Sequence, residues 1–294
     1  MSFNFPHDAI QQWENRPGQP VNKAAVLNAF YSGALTPNDV SIAKFIFLHG
    51  YTTTNQMQTY FENEISQSQL KRRIQTMLKY RILNRFNFVD QDKNIISPLI
   101  YCLDMGGGYL LENQSNFDVD NWTPSENIRS PELIGRHLVA SEFHVRIKEK
   151  FPELSFKFEP FKEIYFDRKK FKPTFIFELN EKVFLGEVIR GEEQLELLRD
   201  RMVRYDILLE TNHYKRFWPE KPVLFLVSEN DEVALKVAEI VENHSRINGY
   251  RLTTDERVSR GLSTKGAFLK HEAGLLKEVT AKIFMTGDGD DNTR

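Results

Sequence analysis

The stretch with the clearest chemical content is KPTFIFELNEKVFLGEVIRG, residues 172–191. It reads as two β-strands joined by a tight turn at Leu179–Lys182, with Glu187 on the second strand. A hairpin with one acid near its first strand and Glu-x-Lys on its second can hold Mg²⁺ between two carboxylates. Mg²⁺ takes oxygen ligands and keeps several waters. It polarises a scissile phosphate and lowers the pKa of a bound water. The lysine then positions the nucleophile or offsets developing negative charge. Such a set performs metal-assisted phosphodiester hydrolysis. Here Ile189 stands two residues after Glu187, and an isoleucine neither ligates a metal nor positions water. Arg190 is adjacent, but strand alternation turns it to the opposite face. The plainer reading of Glu187 is a structural acid paired with Arg190, Arg199 or Arg201.

A second constellation lies in SQSQLKRRIQTMLKYRIL. Leu70, Ile74, Met77 and Leu78 form one apolar helical stripe, while Gln69, Arg72, Arg73, Thr76 and Lys79 fall mostly off it. From Ser66 to Val89 there are six basic residues (Lys71, Arg72, Arg73, Lys79, Arg81, Arg85) and no acid. Two shorter helices precede this one: SIAKFIFLHG, stopped by Gly50, and TTTNQMQTYFE, capped from Thr52–Thr54. Two strands follow, RFNFV and IISPLIYCLD, around the turn DQDKN. Three short helices and a hairpin give the order of a winged helix-turn-helix, whose third helix lies in the DNA major groove. Neutralising phosphates needs only local positive charge. Arg and Gln make bidentate contacts to guanine and adenine. Gln69, Arg72, Arg73, Thr76 and Lys79 are therefore the candidate base readers, and Lys71, Arg85 and Lys93 the phosphate or wing contacts. The plainer reading is a solvated face on a protein–protein module.

The elements around these sites set the domain plan. Residues 1–38 read as a polar, proline-punctuated arm, 39–112 as the winged helix and 113–131 as a linker. Residues 132–285 open with the long helix PELIGRHLVASEFHVRIKEK and continue as alternating strands and helices. Residues 286–294 read as a disordered acidic tail. The order suits a mixed sheet covered by helices, so the fold class is mixed α/β. YRLTTDERV reads as the last strand. The 294 residues suit two domains. With 39 basic and 41 acidic residues the net charge is −2, which excludes a non-specific DNA coater. No apolar run is long enough to span a membrane, and MSFNFPHDAIQQWENRP has no signal-peptide pattern. No membrane partner and a cytoplasmic location are expected. The single cysteine, Cys102, excludes a disulfide framework and reads as a small buried hydrophobe. The seven histidines show no HExxH pattern, although His137 and His144 are spaced to share a helix face. Gly106–Gly108 lacks the Gly-Lys-Ser/Thr of a phosphate loop and reads as a turn after the wing.

The winged helix, the GRHLVASEFHVRI helix and the KPT…FLGEVIRGEEQLELLRDRMVRYDILL block together resemble the replication-relaxation family of plasmid and conjugative-element proteins. The resemblance covers residues 41–260. It implies a C-terminal restriction-endonuclease-like α/β domain similar to PD-(D/E)xK nucleases. In the family pattern an aspartate follows the proline, where this chain has Thr174 after Pro173. Glu187 holds the place of the second acid, Glu142 that of an auxiliary acid, and Arg201 or Arg199 replaces a migrated lysine. An arginine cannot act as a base. The expected function is a site-directed double-stranded DNA-binding protein of a plasmid, phage or conjugative element. It acts as a replication or mobilisation accessory factor or regulator, with an inactive nuclease-like domain and no cofactor. A homodimer and a relaxase or replication protein are the expected partners. The alternatives are a Mg²⁺-dependent nuclease or nickase using Glu142, Glu187 and Asp167, and a protein–protein scaffold.

Overall fold

In the computed structural model, which describes residues 3–114, 119, 122–150, 156–179, 181–247, 249–261 and 265–279, the N-terminal stretch is more than an arm. Strand β1 (Ile10–Trp13) and helix α1 (Lys23–Tyr31) are followed by α2 (Pro37–His49), β2 (Thr52–Thr53), α3 (Thr54–Phe61) and α4 (Gln67–Lys79). Then come β3 (Leu83–Val89), β4 (Ile100–Leu103), α5 (Met105–Glu112) and α6 (Pro131–Lys150). The strands form an antiparallel sheet in the order β1-β3-β4-β2. β1 pairs with β3 because Trp13 gives it an aromatic anchor, its ring 4.4 Å from that of Phe86. Phe5 is buried beside Phe88, and Val26 and Ala29 of α1 enter the core.

Local signals set the helix ends. The Asp39 carboxylate accepts from the Thr36 N–H at the start of α2, and Gly50 ends that helix at φ +75°. Thr53 caps α3, as expected from the threonine run. The three glycines after β4 are helical and form no turn. Asp104 caps α5, and a Cβ on Gly106 would lie 2.7 Å from the backbone oxygens of Tyr80 and Arg81. The glycines let this helix sit directly on the chain entering β3. The expected linker is also structured where it is described. Asn127 is buried and donates to the Leu103 carbonyl at 2.7 Å.

The chain divides into two units, 3–145 and the residues from 146 onward, so the boundary falls within α6 and not in the 113–131 stretch. The second unit contains β5 (Phe156–Pro160), β6 (Ile164–Phe166), β7 (Lys169–Phe171), β8 (Phe175–Leu179) and β9 (Lys182–Ile189). It continues with α7 (Gly191–Glu210), β10 (Val223–Ser228), α8 (Asp231–His244), β11 (Arg251–Thr254), α9 (Asp255–Arg260), β12 (Phe268–Glu272) and β13 (Leu275–Val279). Its main sheet runs β13-β12-β11-β10-β9-β8-β5. β9, β10 and β11 are parallel, and the remaining pairs are antiparallel. β9 is buried from Val183 onward, as a central strand covered on both faces must be. Gly186 is required there, because the Phe175 ring of β8 occupies the space of any Cβ. Leu198, Met202 and Leu209 of α7 share a core with Val237 and Val241 of α8. The expected last strand stops at Thr254 and gives way to α9. A further hairpin, β12–β13, turns at Ala273–Gly274, both at positive φ. The acidic tail 286–294 lies outside the described residues. Both units are thus mixed α/β, and among the described residues no helix is long and apolar enough to cross a membrane.

Candidate functional site

The Glu187 carboxylate is the best-defined polar centre of the second unit. β9 carries it into the interior, where it is 2% exposed. Its Oε2 accepts from Thr174 Oγ1 at 3.1 Å. Its Oε1 accepts from Tyr205 at 2.6 Å and from Arg201 Nε at 3.0 Å, with Arg201 Nη2 as a further donor. Arg201 and Tyr205 are four residues apart on α7 and share one helix face. The guanidinium also donates to the Lys172 carbonyl at 2.8 Å and lies 5.4 Å from the centre of the Phe171 ring. Burial is the largest single effect on Arg201 and opposes its charged form, but the charges of Glu187 and Tyr205 and the hydrogen bonds to them together outweigh it and raise the pKa. Burial, then the Glu187 charge, pushes the Tyr205 hydroxyl well above its ordinary value. Thr174 is therefore a hydrogen-bond donor that also accepts from the Val188 N–H at 3.2 Å.

This donor set does not fit Mg²⁺. A guanidinium and two hydroxyls all donate to this carboxylate, so positive charge and hydrogen-bond donors already stand where Mg²⁺ needs oxygen ligands. Asp167, expected as a possible extra ligand, is exposed in the β6–β7 turn, where it and Arg168 adopt φ of +46° and +57°. Glu142 lies on the part of α6 within the first unit and accepts from Gln56 Nε2 at 3.1 Å. Among the described residues, no group of three or more His, Cys, Asp or Glu could hold a metal ion. Arg190, the other expected partner of Glu187, instead meets Asp255 at 2.6 Å. Arg199 is exposed.

The candidate DNA-contacting residues separate in the same way. Lys71, Arg72 and Lys79 are exposed on α4, as is Gln75, which the spacing of the basic residues does not single out. Lys79 lies 5.7 Å from the centre of the Tyr80 ring. Lys93 is exposed at φ +66° in the turn after β3. The others are engaged in contacts within the chain, and of these Arg73 reaches a buried partner. Arg73 grips the fully buried Asp39 through Nε at 2.8 Å and through Nη2, which also donates to the Ala34 carbonyl at 2.8 Å. Gln69 closes the capping box of α4, accepting from the Ser66 N–H at 3.1 Å. Arg85 pairs with Glu14, and the Thr76 hydroxyl donates to the Arg72 carbonyl at 3.2 Å. Arg73 is thus corrected from a base reader to a structural cation. The spacing of α4 gave no sign of this, because Asp39 lies 34 residues away.

The histidines that share a face of α6 meet the end of α2. His137 Nδ1 is 2.7 Å from the His49 carbonyl oxygen, and His144 Nδ1 is 2.9 Å from His49 Nε2. His49 donates through Nδ1 to the Phe45 carbonyl at 2.8 Å, so its neutral ring accepts at Nε2. Burial lowers its pKa to about 4, against the opposing Phe45 bond. The unfolded chain therefore takes up a proton near pH 6.5 that the folded chain refuses until about pH 4. The stabilising difference is complete above pH 6.5 and is lost as the pH falls through this window. Between pH 6.5 and pH 5 it amounts to roughly 2 kcal/mol. Urea unfolding at about pH 7 and pH 5 should show that loss in the native chain and a smaller one in His49→Gln.

No protein-family model matches this sequence, and no curated protein matches it. Among solved structures, protein VC1899 from Vibrio cholerae is similar over 86% of this chain at 11% identity, with a TM-score of 0.29. This chain spans 57% of the length of that one.

Proposed function

We propose that this protein is a site-directed double-stranded DNA-binding protein whose first unit is a winged helix-turn-helix and whose second is a nuclease-like domain that does not cleave. The observation that carries the reading is the outward face of α4. It presents Lys71, Arg72, Gln75 and Lys79 to solvent, within a segment free of acids from Ser66 to Val89. The order α2, α3, α4, then β3 and β4, agrees with such a module. In the second unit, the succession β5, β8, β9, α7, β10, with β9 antiparallel to β8 and parallel to β10, is in keeping with a restriction-endonuclease-like core. Its acid is held by Arg201, which favours a role in DNA contact, dimerisation or recruitment. The process is replication or mobilisation of a plasmid, phage or conjugative element, or its regulation, and the partner is a relaxase or replication protein.

Selection from random duplexes followed by gel shift over a salt series tests this. Replacing Arg72 and Lys79 with alanine should reduce the slope of log affinity against log salt by about 0.9 for each phosphate no longer neutralised. If Arg72 reads a base, discrimination at one position of the site should also weaken by about 1–3 kcal/mol. An unchanged slope, or no affinity for any duplex, would favour the scaffold alternative.

A further inference from the structure

We propose that a groove on the second unit docks an extended peptide segment of a partner protein, one that alternates basic and apolar side chains. The groove encloses about 820 Å³, within the roughly 300–1,000 Å³ of ligand-binding clefts. Strand register builds one side of it. Lys157 of β5 stands opposite Glu178 of β8, which in turn stands opposite Val183 of β9. Two residues back along β8, Ile176 faces the same way and stands opposite Glu159. Ile176 and Val183, with Ile164 of β6, belong to the buried core of the unit and close the base. Residues 216–220 also line the groove, with Phe217 40% exposed and Trp218 half-buried against the core.

The two aromatic rings, 5.4 Å apart between centres, offer the apolar contact on which partner chains anchor. The charges give the sign of the partner. Five carboxylates and three cations line the groove. Lys157 and Lys162 are both engaged with Glu159, at 3.5 Å and 2.8 Å. Glu163 is held from outside by Lys170 at 3.0 Å. The exposed carboxylates of Glu178, Glu181 and Glu220 make no hydrogen bond or ion pair among the described residues, and Arg216 is the one lining cation left beside them. The lining therefore favours a basic occupant and repels an acidic one.

The placement of the three carboxylates favours a chain over a single small cation. They sit on separate segments: β8, the β8–β9 turn and the stretch after Tyr214. One ammonium group cannot serve all of them, whereas successive lysines or arginines of one extended peptide can meet them in turn. Apolar side chains between the basic ones would rest on Phe217 and Trp218, and a cationic head over either ring gains a further attraction. The chain's own tail, with Asp288, Asp290 and Asp291, has the wrong sign to fill this groove. All of the lining belongs to the second unit, so the inference stands whether or not α4 reads DNA.

The test is calorimetric titration of the full chain, without DNA, with a blocked heptapeptide of alternating lysine and leucine. Its glutamate–leucine counterpart and spermine serve as comparison probes. The basic peptide should bind at one site per chain, at least about tenfold more tightly than spermine, and the acidic peptide should not bind. Phe217→Ala should weaken the basic peptide about tenfold, and so should the double variant Glu178→Gln, Glu220→Gln. These side chains are exposed and the two acids hold nothing in the fold, so both variants should melt like the native chain. The double variant Glu62→Gln, Asp92→Asn removes two exposed acids of the first unit and should leave binding unchanged. Absence of binding, equal binding of the acidic peptide, spermine as tight as the peptide, indifference to both groove variants, or equal loss in the first-unit variant would each overturn the proposal.

Discussion

Replacing Glu187 with alanine is expected to lower the unfolding free energy by about 3–5 kcal/mol, because it leaves the Arg201 charge without its partner in the interior. The geometry makes the loss large. Arg201 Nε and Nη2 and the Tyr205 hydroxyl all converge on Oε1, and Thr174 holds Oε2. Glu187→Gln keeps an oxygen for Tyr205 but removes the charge, and should fall between alanine and the native chain. The double variant Glu187→Ala, Arg201→Ala should recover part of the loss, since contacting partners are not additive. Chemical unfolding of the four proteins reads these differences directly. A metal ligand behaves otherwise. Its removal relieves crowded charge or changes little, and millimolar Mg²⁺ raises the melting temperature of the native protein by mass action. We expect no Mg²⁺-dependent rise and no Mg²⁺-dependent nicking. A stability change under about 1 kcal/mol in Glu187→Ala, together with stabilisation by Mg²⁺, would restore the nuclease reading.

The second large effect concerns Arg73. Its change to alanine should cost about 3–4 kcal/mol, because Asp39 is fully buried and loses a two-pronged partner. Asp39 also accepts from Thr36 at the start of α2, so the damage should reach the packing of α2 against α4. On a DNA-binding helix an arginine-to-alanine change is commonly read as damage to base recognition. Here the folded fraction at low temperature should bind DNA with nearly native affinity and salt dependence, whereas Arg72→Ala should show the reverse pattern. Comparing denaturant midpoints and gel shifts for the two variants separates the roles. A native midpoint in Arg73→Ala with greatly weakened DNA binding would return Arg73 to the reading face.

Much of the fold was legible because it rests on local rules. The apolar stripe of α4, the threonine caps, the Gly50 stop and the continuous apolar run of β10 each depend on neighbours within a few residues. Three features escape such rules for a common reason. The glycines of α5 look like a turn until the chain beneath them is known. β1 looks like part of a polar arm until Phe86 gives Trp13 a neighbour. The β12–β13 hairpin alternates charge with modest hydrophobicity and turns at Ala-Gly, without the usual asparagine or aspartate signal.

The order of residues alone establishes the mixed α/β class and the chemistry available in each segment. It holds an acid-free basic helix, one hairpin acid without its lysine, and a near-neutral total charge. It also narrows the partner of Glu187 to three arginines. The choice among charges is made by packing in three dimensions. Packing selects Arg201 for Glu187, Asp255 for Arg190 and Asp39 for Arg73, at sequence separations of 14, 65 and 34. Such pairing follows from burial. A charge taken out of water must find an opposite charge in the interior, and which one it meets depends on how distant elements pack, a quantity that periodicity and spacing do not contain.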